Sequence, residues 1–85
     1  MLKLDNEELF LLISDYREDI DLSHDEVLDL RKNPGLLEHI ALSVREYLDD
    51  YEIRWEDIDM SHYSRDSHFI EIKKTIQEAY NKYKK

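Results

Sequence analysis

Apolar side chains recur three and four residues apart along almost the whole chain, and the one proline and the one glycine, Pro34 and Gly35, stand side by side. The spacing places apolar residues on one face of a helix. So few breakers argue for helices joined by short connections and against a sheet with many turns. The fold class this predicts is all-α, a single small antiparallel bundle of three to four helices. A chain of 85 residues makes one domain, 1–85, and buries roughly 60% of the surface exposed when unfolded.

The boundaries follow from capping residues. Asp5 with Glu8 three positions on resembles a capping box, and Leu9, Leu12, Ile13, Tyr16 and Ile20 share one face, so a first helix is expected over about 6–20. Leu11 falls on the opposite face. Ser23 with Glu26 opens a second helix over 24–32, burying Val27, Leu30 and Leu28, with Arg31 and Lys32 at its negative end. Asn33 as cap and Pro34 in the first turn start a third helix over 34–51, carrying Leu36, Leu37, Ile40, Ala41, Val44, Tyr47, Leu48 and Tyr51. Glu38, Arg45 and Asp49 form its other face. Trp55 and Ile58 continue the stripe, so this helix either extends to about 59 or breaks near Glu52 and restarts as a short turn. Asp66 or Ser67 caps a last helix over 67–84, with Phe69, Ile72, Ile76, Ala79, Tyr80 and Tyr83 as its seam.

No stretch approaches the roughly 20 apolar residues of a membrane helix, and Met1 to Asp5 lacks the apolar run of a signal peptide. With no cysteine the chain reads as a soluble cytoplasmic protein, with no membrane partner. The net charge of −9 is unevenly spread. Residues 1–71 hold 20 acidic against 7 basic side chains, a net −13, whereas 72–85 hold five lysines against Glu78, a net +4. Such a body repels nucleic acid and attracts basic proteins. Lys73, Lys74, Lys82, Lys84 and Lys85 suit the negative end of the last helix and give no reason to expect nucleic acid binding.

Motifs for chemistry are absent or incomplete. Asp19 to Ser23 begins like a calcium loop, but the sixth position is His24 instead of glycine and the twelfth is Leu30 instead of glutamate. His24, His39, His62 and His68 show no i, i+4 zinc pair. A phosphate loop needs more than one glycine, and Ser61-His62 lacks a strand–turn–helix setting. No enzyme, metal or other cofactor is expected.

The stretch from Asp49 to Asp66 stands out. Aromatic and apolar residues there are ringed by carboxylates, the composition of a protein-binding hot spot for a basic partner. The expected contact residues are Asp49, Glu52, Trp55, Glu56, Asp57, Asp59, Tyr63 and Asp66. A second acidic run, Asp15, Glu18, Asp19, Asp21, Asp25 and Glu26, is the alternative surface.

In size, acidity, helical content and lack of cysteine the chain resembles the small acidic immunity proteins of bacteriocin and contact-dependent toxin systems. Tyr63-Ser64-Arg65 stands loosely where the colicin-nuclease immunity family carries Tyr-Tyr-Pro. No Tyr-Tyr-Pro is present, and none of that family's binding residues is carried over. The resemblance implies an inhibitor that neutralises a basic nuclease toxin by acidic occlusion of its substrate-binding surface. A helical adaptor or regulatory protein, docking through an apolar contact at Leu11 or Leu42 or self-associating, is the competing expectation.

Overall fold

Helix caps set most of the architecture. The structure, a computed structural model, describes residues 4–61 and 64–84. Among them the chain forms five α-helices and one 3-10 turn, with no strand: α1 (Asn6–Asp15), α2 (Arg17–Ile20), α3 (His24–Lys32), α4 (Pro34–Asp50), the 3-10 turn (Trp55–Asp57) and α5 (Ser67–Lys84). Ser23 and Glu26 form a complete capping box, each side chain accepting the other's backbone N–H. Asn33 accepts from the Leu36 amide at the head of α4, with Pro34 in its first turn. Asp5 caps α1 as expected, but not as part of a box. It accepts from the Glu7 amide, so the box with Glu8 does not form.

The expected first helix is two helices. The break falls at Tyr16, where the backbone leaves helical geometry (φ −115°, ψ 26°). This turns the Tyr16 ring into the core, edge-on to Phe69 with centroids 5.1 Å apart. α2 then stops at Asp21, which takes left-handed geometry (φ 66°). There the Leu22 amide donates to the Arg17 carbonyl and the Asp21 amide to Glu18, which satisfies the last carbonyls of α2. Leu22 is thereby carried into the core.

The core is made from all five helices. Leu9, Ile13, Ile20, Leu30, Leu36, Ile40, Val44, Phe69, Ile72 and Ile76 are its largest fully buried side chains. α4 and α5 pack most extensively on one another. A radius of gyration of 12.0 Å matches the about 12 Å of a compact chain this long. Gly35 lets the head of α4 approach α5, since a Cβ there would lie 3.1 Å from the Tyr83 hydroxyl.

Three further assignments change. Leu28 is 40% exposed, while Leu4, Phe10 and Leu22 take core places. Tyr51 and Tyr83, expected on apolar seams, are exposed. Glu38 and Arg45 do not form a plain solvated face. The Asn6 amide donates to Glu38 (2.7 Å), and Arg45 donates to the Leu4 carbonyl (2.9 Å) and to Asn6 (3.0 Å). Together they fasten the start of α1 to the middle of α4. No helix among the described residues is long and apolar enough to cross a membrane.

Candidate functional site

α4 ends at the first of the expected contact residues. Its last turn holds Asp49 and Asp50 and no basic residue, so two negative charges sit at the negative end of the helix dipole. The turn is closed by Glu52 in left-handed geometry (φ 53°), a place that favours glycine. The Ile53 amide donates to the Leu48 carbonyl (2.9 Å) and the Glu52 amide to Asp49 (3.2 Å), completing the helix stop. The extension to about residue 59 therefore does not occur. The chain restarts as the 3-10 turn Trp55–Asp57.

Beyond that stop the connector is two-sided. Ile58 is buried, and Ile53, Trp55 and Met60 pack partly buried against the core. The Tyr16 hydroxyl donates to the Met60 carbonyl, tying the connector to the α1–α2 break. Glu52, Glu56, Asp57 and Asp59 face solvent. Apolar anchors thus hold the backbone while alternate positions present carboxylates outward. Arg54 reaches Asp57 at 3.3 Å, an exposed pair of small energetic weight. Asp49, Asp50, Glu52, Glu56 and Asp59 have no cationic partner among the described residues.

Asp66 joins the two ends of the loop. One carboxylate oxygen accepts from the His68 amide (2.9 Å), capping α5, and the other accepts from the Asp59 amide (3.2 Å). Asp59 in turn accepts from the Ser61 amide at 3.1 Å. The Asp59 and His68 amides hold the Asp66 carboxyl below its ordinary value, against a smaller opposing effect of burial. Glu38 is lowered too, first by the Asn6 amide and then by Arg45, with burial opposing. A carboxyl lowered by folding adds stability that is present above its unfolded value and lost as pH falls through the folded one. Stability is therefore expected to fall on acidification below about pH 4. Asp66→Asn keeps an acceptor for the α5 cap but cannot titrate, so its denaturation midpoint should depend less on pH there. An unchanged acid slope would show that Asp66 titrates alike in both states.

A third feature lies where α4 meets α5. The Tyr47 hydroxyl and His68 Nδ1 are 3.0 Å apart. The Tyr51 ring lies 4.7 Å from that of Tyr47 and 5.9 Å from that of His68. Partial burial, followed by the negative fields of Tyr51, Glu71 and Asp66, raises the Tyr47 hydroxyl above its ordinary value. Sequence spacing did not reveal this group. Tyr47 reads as core stripe and His68 as a residue beside a cap, and no local pattern joins positions 21 apart.

The fold thus brings Asp49, Glu52, Trp55, Glu56, Asp57, Asp59 and Asp66 onto the end of α4, the connector and the start of α5. Tyr63 and His62 lie outside the described residues. In the alternative run, Asp19 pairs with Lys73 at 3.4 Å and Glu26 is held in its capping box. The other histidines go to separate places: His24 opens α3, and His39 packs on Tyr83 with ring centroids 5.3 Å apart. Among the described residues no three His, Asp or Glu side chains converge to hold an ion. An open depression between α1, α3 and α4 is lined by Glu7, Phe10, Leu30, Arg31, Pro34 and Leu37, with the Arg31 guanidinium 4.3 Å from the Phe10 ring centre. No protein-family model, curated protein or solved structure matches this chain.

Proposed function

We propose that this is a non-enzymatic cytoplasmic inhibitor of the immunity-protein kind, an antiparallel bundle that binds a basic protein, such as a nuclease toxin, and blocks its substrate-binding surface. The site is the acidic rim formed by Asp49, Glu52, Glu56, Asp57, Asp59 and Asp66, with Trp55 as its apolar support.

One observation carries this reading: the end of α4 departs from what stability alone favours. Two carboxylates stand at the negative pole of the helix, and a glutamate takes a left-handed position that costs a non-glycine residue about 1 kcal/mol. Departures from local rules of this kind gather at functional sites. The connector is also held in place by Ile58 and by the Tyr16–Met60 hydrogen bond, so the backbone that carries its carboxylates is fixed before any partner arrives. Preordering reduces the entropy lost on binding.

Glu52→Gly separates binding from folding. Glycine suits the left-handed position, so the variant should be as stable as the parent or more so, yet bind a basic partner less tightly. The product of the neighbouring reading frame is the partner to titrate first, by calorimetry. Affinity should fall about tenfold or more between about 0.05 and 0.3 M salt, and Glu52→Gly should bind less tightly at low salt with a shallower salt dependence. Salt-independent binding would favour the adaptor reading, for which Leu11 and Leu42, 51% and 50% exposed, supply apolar contacts.

A further inference from the structure

Tyr51 is the most exposed large apolar or aromatic side chain among the described residues, at 61%. It also packs on aromatic neighbours. Its ring lies 4.7 Å from Tyr47, tilted by 40°, and 5.9 Å from His68, tilted by 55°. Tyr47 and His68 are themselves joined, hydroxyl to Nδ1 at 3.0 Å, so α4 and α5 both contribute to the platform. The backbone stop at Glu52 and Ile53 fixes where α4 delivers the ring. Solvation alone accounts poorly for an aromatic surface built in this way and left open.

Its electrostatic setting narrows what can cover it. Asp50 and Glu52 are the chain neighbours of Tyr51, both are exposed, and neither has a cationic partner among the described residues. At the head of α5, two residues before His68, the Asp66 carboxylate accepts from the amides of Asp59 and His68. Glu71, one turn along α5 from His68, pairs among the described residues only with the exposed Lys74, at 3.6 Å. An aromatic face is itself negative, so ring and carboxylates attract the same kind of group. An anionic or purely aliphatic partner would leave these carboxylates opposed or desolvated.

We infer that the Tyr47–Tyr51–His68 platform is a seat for an arginine side chain of a basic protein partner, the guanidinium lying on the Tyr51 ring with its N–H groups turned to the carboxylates of Asp50 and Glu52. Arginine fits better than lysine. Its flat, weakly hydrated guanidinium stacks on a ring while its edge still donates to carboxylates, whereas an ammonium must give up more water for a point contact. This inference rests on the basic-partner reading and adds the chemistry of one contact within it.

The test uses the full chain, labelled with nitrogen-15, and two glycine–serine peptides alike except that one carries three arginines and the other three lysines. Titration at low salt should move the amide signals of Tyr47, Tyr51 and His68. The arginine peptide should bind about fivefold more tightly than the lysine peptide. Tyr51→Phe should retain that preference, and Tyr51→Ala, at an exposed helix end where folding is little affected, should abolish it. Equal binding of the two peptides overturns the inference. So do signals that move only at residues 15–26 or 52–59, although the basic-partner reading then stands. If neither peptide binds, this inference fails, whereas the basic-partner reading is decided by the salt titration.

Discussion

Replacing Phe69 by alanine is expected to remove about 3–5 kcal/mol of stability. The ring is 1% exposed and sits near the start of α5, against the edge of Tyr16. The Lys73 ammonium lies 4.6 Å from its centre, and the same ammonium reaches Asp19 on α2. Truncation would leave a cavity beneath α2 that neighbouring side chains fill only in part, and would remove the face on which Lys73 rests. At about 0.05–0.15 kcal/mol per residue, a chain of this length has only about 4–13 kcal/mol in total. The loss is therefore between a quarter and all of it. Urea denaturation should show a lower midpoint with an unchanged slope. A loss below about 1 kcal/mol would mean that α2 and α5 do not close around this ring.

Tyr16 carries the second large effect, and it separates packing from anchoring. Tyr16→Ala removes a buried ring and should cost about 3–5 kcal/mol, comparable with Phe69→Ala. Tyr16→Phe keeps the ring against Phe69 and loses the hydrogen bond to the Met60 carbonyl, for about 1 kcal/mol. The conservative variant should reveal itself in the connector. Hydrogen exchange at Ile58, Asp59 and Ser61 should quicken by more than the global loss explains, because those amides follow the anchored segment. Uniform quickening throughout the chain would show that the hydroxyl contributes to stability without ordering the candidate site.

The two residues are coupled, and the coupling links the core to the proposed surface. Phe69 positions Tyr16, Tyr16 holds Met60, and the connector that Met60 belongs to presents Glu56, Asp57 and Asp59. A double variant should therefore lose less than the sum of its single changes, since the Tyr16 anchor is already weakened once Phe69 is gone.

Much of the candidate site was visible in the sequence because composition alone marks it. Carboxylates from Asp49 to Asp66 interleave with Trp55, Ile58 and Met60, and that alternation becomes the outward and inward sides of the connector. What composition does not show is how each carboxylate is used. Asp66 and Asp59 serve the backbone of their own loop, whereas Glu52 and Glu56 make no such bond among the described residues. The pairing of Tyr47 with His68 was hidden for the same reason, since it depends on how α4 lies against α5.

What the sequence determined by itself is the local part of the structure. The Ser23–Glu26 box, the Asn33 cap before Pro34, and the apolar stripes of α4 and α5 all rest on contacts between residues three or four apart. Tertiary structure decided the rest. The first helix breaks at Tyr16 where the ring enters the core and the hydroxyl meets a carbonyl 44 positions away. α4 stops at Glu52 although the apolar stripe runs on, and Leu28 stays exposed while Leu22 is buried. Each of these outcomes depends on which helix faces are adjacent. Helix periodicity defines a face, but the face is assigned a neighbour only when the whole chain has packed.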